Sequence, residues 1–137
     1  MKYYFIIFII SFKSFAQQKN DIKNNTSLYG NEIDKSKVEL IGVEFSKGLI
    51  KKKIKIIDVR TPKEFNHGHI ENAININFKS SNFIKNISKL NKDTSFLIYC
   101  KSGNRSGKAA KIMDSIGFYK IYDLKGGFIN WNNEANQ

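Results

Sequence analysis

Apolar and polar positions along the chain change period several times, and each change marks an element. An apolar run from Tyr3 to Phe12 is set apart from the rest by a polar stretch, Gln17 to Lys37. From Val38 onward, short β-branched runs alternate with helical spacings. Val38-Glu39-Leu40 reads as a short strand, and Val43, Phe45, Leu49 and Ile50 recur at roughly helical intervals. Ile54-Lys55-Ile56-Ile57-Asp58-Val59 is the clearest buried strand. Thr61-Pro62-Lys63-Glu64-Phe65 then supplies a cap, a proline in the first turn and an early acid, the start of a helix. Ala73-Ile74-Asn75-Ile76 predicts another strand, and Phe83, Ile84, Ile87 and Leu90 another helix. Ser95-Phe96-Leu97-Ile98-Tyr99 is a strand ending directly at Cys100. Ser106 to Ile116 reads as a helix closed by Gly117. Ile121-Tyr122-Asp123 is a last short strand before Gly126-Gly127 and a final helix through Trp131.

This alternation predicts an α/β domain, with a small parallel sheet of about five strands covered by helices on both faces. In such sheets ligands bind beyond the carboxyl ends of the strands. Asp58, Arg60 and Cys100 all follow strand ends, so the fold is expected to gather them on one rim. No internal repeat is visible.

The N-terminal pattern carries a separate expectation. Lys2, the apolar run and Lys13-Ser14-Phe15-Ala16-Gln17 form a basic n-region, an apolar h-region and a small-x-small cleavage pattern at Ser14 and Ala16. A bilayer-spanning helix needs about 20 apolar residues, so a stable membrane anchor is not expected after cleavage. The organisation is then a signal peptide over 1–16, a polar linker over 17–37 and a folded domain over 38–137. Export, to a bacterial periplasm, is the expected destination.

Composition adjusts this picture little. The formal charge is +11, and removal of Lys2 and Lys13 with the signal leaves 21 − 12 = +9. Of the 23 basic residues only Arg60 and Arg105 are arginines, and the lysines are scattered among asparagines and acids. No binding motif or arginine stripe accompanies the charge, so nucleic acid is not an expected partner. A diffuse lysine excess instead suits a surface that draws in small anions.

The single cysteine cannot form an internal disulfide, so its neighbours decide what it does. Tyr99-Cys100-Lys101-Ser102-Gly103-Asn104-Arg105-Ser106 runs from a buried strand into a helix. A reactive thiol must ionise, and a helix N-terminus stabilises the anion with unpaired N–H groups and partial positive charge. A tight loop adds inward-pointing amides, with Gly103 free to take positive φ. Ser106 is placed as an N-cap or a further hydroxyl donor, and Arg105 offers a fork of donors for sulfonate-like or phosphate-like oxygens. This reading requires the amides after Cys100 to face a sulfur that is not packed away from solvent.

At this point the chain resembles the rhodanese homology domain. The matching segments are Ile57-Asp58-Val59-Arg60-Thr61-Pro62-Lys63-Glu64-Phe65, Gly68-His69-Ile70-Glu71-Asn72-Ala73-Ile74-Asn75, Tyr99-Cys100 through Ser106, and Leu124-Lys125-Gly126-Gly127-Phe128-Ile129-Asn130-Trp131. Glu71-Asn72 departs from the proline and glycine the family often carries, at a turn remote from the chemistry. The resemblance implies a rhodanese-like fold and sulfur transfer by double displacement. Cys100 would take the outer sulfur of a small anionic donor such as thiosulfate, and a thiol or cyanide would remove it. It implies no cofactor beyond the covalent persulfide. The loop at Lys101, Ser102, Gly103, Asn104 and Ser106 would hold the charged sulfur, and Arg105 would orient the donor. Four residues separate Cys100 from Arg105, as in sulfurtransferase loops, whereas the phosphatases of this fold carry one more. A phosphatase is the weaker enzymatic alternative. A persulfide carrier or interaction module with little turnover is the non-enzymatic one.

The remaining candidates read as structural. Asp58 is expected to support the loops as a hydrogen-bonded strand terminus rather than to tune the sulfur, since a carboxylate would oppose thiolate formation. Arg60 is expected to pair with Glu64 or Glu71. His67 and His69 lack a third ligand, so no metal site is expected, and His69 suits a structural hydrogen bond near Ile70. Gly126-Gly127 suits a turn, Phe128 and Trp131 suit the core, and Lys101 attracts donors or is merely solvated. Oligomeric state is not encoded in any feature read here.

Overall fold

Five parallel strands, in the order β1-β5-β4-β2-β3, carry the cysteine loop at the carboxyl end of the central strand. The structure is a computed structural model describing residues 37–135. The expected signal peptide and all but the last residue of the expected linker lie outside the described residues. In chain order the elements are β1 (Val38–Ile41), α1 (Val43–Lys51), β2 (Lys55–Asp58), α2 (Pro62–Asn66) and β3 (Ala73–Asn75). They continue with α3 (Phe83–Ile87), β4 (Ser95–Tyr99), α4 (Asn104–Ser115), β5 (Lys120–Leu124) and α5 (Gly127–Ala135).

Alternation along the strands builds two cores. On one face Ile57, Phe96, Ile98 and Ile121 meet Phe83 and Ile87 of α3 and Ala109, Ala110 and Met113 of α4. On the other, Ile56, Leu97, Tyr99 and Leu124 meet Val43 of α1 and Phe128 and Trp131 of α5. Strands buried on both faces read as near-continuous apolar runs because each side chain has a partner layer. Each fully buried Ile or Leu contributes about 1.5–3 kcal/mol, so the central strands anchor the rim above them.

Local chemistry explains where the helices start. Thr61 and Glu64 form a reciprocal capping box, and Pro62 occupies the first turn of α2. The expected start of α4 at Ser106 needs correction. The helix begins at Asn104, and its cap is Gly103 with φ of 102°, a left-handed conformation that a Cβ would disfavour. Ser106 therefore lies inside the first turn. Its hydroxyl donates to the Gly103 carbonyl at 3.2 Å, so it acts as the further hydroxyl and not as the cap. The helix at Phe83 is shorter than its apolar spacing predicts. It ends at Ile87, and Leu90 packs against the core from outside it.

Candidate active site

The loop after β4 is held from both sides. The amides of Phe128 and Ile129, at the start of α5, donate to the carbonyls of Cys100 at 2.8 Å and Lys101 at 3.1 Å. The Gly126-Gly127 turn that makes this approach has φ of 74° and 59°, the special conformation expected of it. The chain comes so close that a Cβ on Gly127 would lie 2.4 Å from the Cys100 carbonyl oxygen.

Around the sulfur, the Gly103 amide donates to Sγ at 3.1 Å. Burial pushes the Cys100 thiol up, yet the amide and hydroxyl of Ser106 and the amides of Ser102 and Gly103 outweigh it. The net direction is down, toward the thiolate. The expected wrapping of amides around the sulfur is therefore present. Its openness is not: Cys100 is only 1% exposed. Lys101 and Asn104 are exposed, and the bonds to the sulfur come from Ser102, Gly103 and Ser106.

The arginines divide differently from expectation. Arg60 does not reach Glu64 or Glu71. Its Nε and Nη2 donate to the Asp58 carboxylate at 2.6–3.0 Å, and Nη2 also donates to the Gly68 carbonyl. The guanidinium lies 4.1 Å from the Phe128 ring centroid, and the side chains of Arg60 and Asp58 are nearly inaccessible, at 5% and 0% exposure. Short spacing decides the pairing, because the Arg60 amide also donates to Asp58 at 2.8 Å. Asp58 thus has the structural part expected of it. Asn75 completes this corner by donating to the Asp58 and Arg60 carbonyls.

Arg105 takes Glu64 instead, Nη1 to Oε2 at 2.8 Å and Nη2 to Oε1 at 2.7 Å. This fork was expected to face a donor anion, and in the structure it ties the cysteine loop to α2. From the sequence Asn75 has only a place in a strand, and Glu64 a place in the α2 cap or beside Arg60 rather than Arg105. The Thr61–Glu64 cap was visible in the sequence, but contact with a residue 41 positions later was not.

Beside the loop lies a groove of about 410 Å³ whose walls include Arg60, Lys63, Glu64, Lys101 and Phe128. Cys100 is not among its lining residues, so the groove adjoins the sulfur without exposing it. His67 and His69 bond backbone carbonyls, of Lys63 at 2.7 Å and Phe65 at 3.0 Å, and His69 stacks on Phe65. Among the described residues no group of three or more His, Cys, Asp or Glu is arranged to hold a metal.

The loop that rings the sulfur lies within a stretch of chain that matches a known family. The model of the rhodanese-like domain covers residues 43–134. The chain belongs to this family. An uncharacterized Bacillus subtilis protein, YqhL, is 41% identical over 80 residues, covering 58% of this chain and 62% of that protein. The match therefore spans less than two thirds of that relative. Thiosulfate sulfurtransferase GlpE of Shewanella oneidensis is 36% identical over 85 residues, 62% of this chain and 81% of that protein. A crystal structure of a rhodanese-related protein from Thermoplasma volcanium has a TM-score of 0.64 and 31% identity, covering 70% of this chain and 92% of that one. The rhodanese-like fold expected from the motifs is the fold observed.

Proposed function

We propose that the protein moves sulfane sulfur from a small anionic donor such as thiosulfate to a thiol or cyanide, through a persulfide on Cys100. The observation that carries this reading is the convergence of amides on Sγ, led by Gly103 at 3.1 Å. In the first step the Cys100 thiolate attacks the outer sulfur of thiosulfate. The S–S bond of the donor breaks, and sulfite leaves with its electron pair. In the second, the acceptor attacks the outer sulfur of the persulfide, and Cys100 departs as thiolate. The same amides stabilise the anion on either side of each step, so one preorganised loop serves both. A persulfide also carries its reactive sulfur about 2 Å beyond Sγ, which eases access to a thiol set so deep. Lysines on the groove wall suit an anionic donor, and the name of the GlpE relative supports the same chemistry.

Mass spectrometry after thiosulfate treatment tests the proposal. Cys100 should gain one sulfur atom, and Cys100→Ser should gain none. No gain with any sulfur donor would refute it. One observation favours the carrier reading, namely the 1% exposure of Cys100, which suits delivery to a docked partner. Rapid steady-state transfer to cyanide would exclude that reading. We also propose export to a periplasm, supported by the pattern from Lys2 to Ala16. An N-terminus beginning at Gln17 in the protein recovered from cells is the expected result.

A further inference from the structure

Beneath the cysteine loop sits an ionisable group for which the two displacement steps have no use. Asp123 lies near the end of β5 and is 4% exposed, in an otherwise apolar run. Its sheet neighbours, Leu40 on β1 and Ile98 on β4, carry no charge. Ile98 faces the core shared with α4, and Asp123 shares that face. From α4, Gly107 stands over the carboxylate, with Oδ2 3.6 Å from where a Cβ would be. Oδ1 is buried and has no hydrogen-bond partner among the described residues. The side chain that does meet the carboxyl is the hydroxyl of Ser106.

Ser106 is itself fully buried, and its hydroxyl stands at a junction. It donates to the Gly103 carbonyl at 3.2 Å, and it interacts with both the Cys100 sulfur and Asp123. One hydroxyl has one proton to give and can accept from a further donor. A neutral carboxyl can donate to Ser106 Oγ and leave the Ser106 proton free to turn from the Gly103 carbonyl, its acceptor in the structure, to the sulfur. An ionised carboxylate can only accept, so it competes with the sulfur for that proton. The charged groups of the loop above are Cys100, which faces the junction, Arg105, which is turned to Glu64, and the exposed Lys101.

We propose that Asp123 is a positioning residue that sets the direction of the Ser106 hydroxyl, toward Cys100 when protonated and toward itself when ionised. The thiolate is then best stabilised with Asp123 neutral, and by linkage the thiolate favours the neutral carboxyl in return. Burial holds this carboxyl up at about 6, against a smaller opposing effect of Ser106. The proposal rests on Cys100 being the reactive sulfur. Its test reads alkylation, so failure of sulfur transfer and failure of this relay are told apart.

The full chain and three variants are alkylated with iodoacetamide across a pH series, and the midpoint of the Cys100 rate is read for each. Asp123→Asn keeps the shape, removes the charge and can donate to Ser106, so the midpoint should fall by about half to one pH unit. Ser106→Ala should raise it. In Ser106→Ala/Asp123→Asn the effect of the Asp123 change should shrink to less than half. An unchanged midpoint in Asp123→Asn, or an equal change with and without Ser106, would overturn the proposal. A purely structural Asp123 would alter thermal stability and leave the midpoint in place. The unsubstituted chain provides a second reading that needs no folded variant. The carbon-13 carboxyl resonance of Asp123 should titrate at lower pH once Cys100 is capped by iodoacetamide, and an unmoved midpoint counts against the relay.

Discussion

Arg105 in the cysteine loop places both terminal nitrogens on the two carboxylate oxygens of Glu64 in α2, at 2.8 and 2.7 Å. Glu64 also accepts from the Thr61 amide and hydroxyl, so one carboxylate closes the cap of α2 and fastens the cysteine loop. The loop is thereby clamped between α2 on one side and the first amides of α5 on the other. Clamping at both ends keeps the amides aimed at the sulfur while its charge moves.

Glu64→Gln should loosen this clamp. A bidentate but partly exposed pair contributes about 1 kcal/mol, so a denaturant midpoint should fall modestly near neutral pH. The Arg105 guanidinium, ahead of the Thr61 donors, holds the Glu64 carboxyl well below its ordinary 4.5. A depressed carboxyl contributes stability above its unfolded value and loses it as pH falls through the folded one. The gap between wild type and Glu64→Gln should therefore narrow on acidification below 4.5, as chemical denaturation at successive pH values would report. A gap constant down to about pH 3 would contradict the assignment.

Asp58 and Arg60 call for a different expectation, because both are buried. Removing one partner strands a charge, and either Asp58→Ala or Arg60→Ala should cost about 3–5 kcal/mol. Arg60→Ala also removes the cover over Phe128 and the donor to Gly68. The double variant should cost clearly less than the sum of the singles, since it leaves no orphan charge. Additive costs in a double-mutant cycle would show that the pair is not coupled.

Gly127→Ala tests how closely the loop backbone is packed. The added methyl would meet the Cys100 carbonyl oxygen at 2.4 Å and the Lys101 carbonyl carbon at 2.8 Å, both main chain and neither free to swing aside. The residue also holds φ of 59°. Strain and clash together should cost about 3 kcal/mol or more, and sulfur uptake by Cys100 should fall with it. Gly103→Ala is the control. Its φ of 102° is equally demanding, but the nearest atom a Cβ would meet, the Gly126 amide nitrogen, is 3.7 Å away. It should cost about 1–2 kcal/mol, from backbone strain alone.

What the sequence disclosed was local. Thr61-Pro62-Lys63-Glu64 announces its cap without any partner, and the apolar run Ser95–Tyr99 points straight at Cys100. Parallel order and the shared rim follow from alternation of strands and helices. Ser106 reads either as a cap or as a further hydroxyl donor, and the turn into α4 at Gly103 selects the second, with the hydroxyl donating to the Gly103 carbonyl. Two features escaped because they depend on distance in space. Both arginines need a carboxylate, yet charge alone cannot choose among Asp58, Glu64 and Glu71, and the fold assigns them. Asp123 gave one signal, an acid between Tyr122 and Leu124, and it read as an ordinary strand residue because nothing in its neighbourhood names Ser106.

The buried acid also predicts how stability varies with pH. Burial raises Asp123 from its ordinary 3.8 to about 6, so the folded chain holds a proton there that the unfolded chain has released. Where the native state binds more protons, stability falls as pH rises. This contribution is fully present below 3.8 and is lost as pH climbs through about 6, opposite in direction to that of Glu64. At neutral pH the ionised carboxylate costs on the order of 3 kcal/mol. Asp123→Asn, which never ionises, should therefore be more stable than wild type near pH 7, and the difference should vanish toward about pH 4. Denaturant unfolding of the two proteins across that interval checks it. A wild-type curve that stays parallel to the variant's would mean that Asp123 does not titrate there.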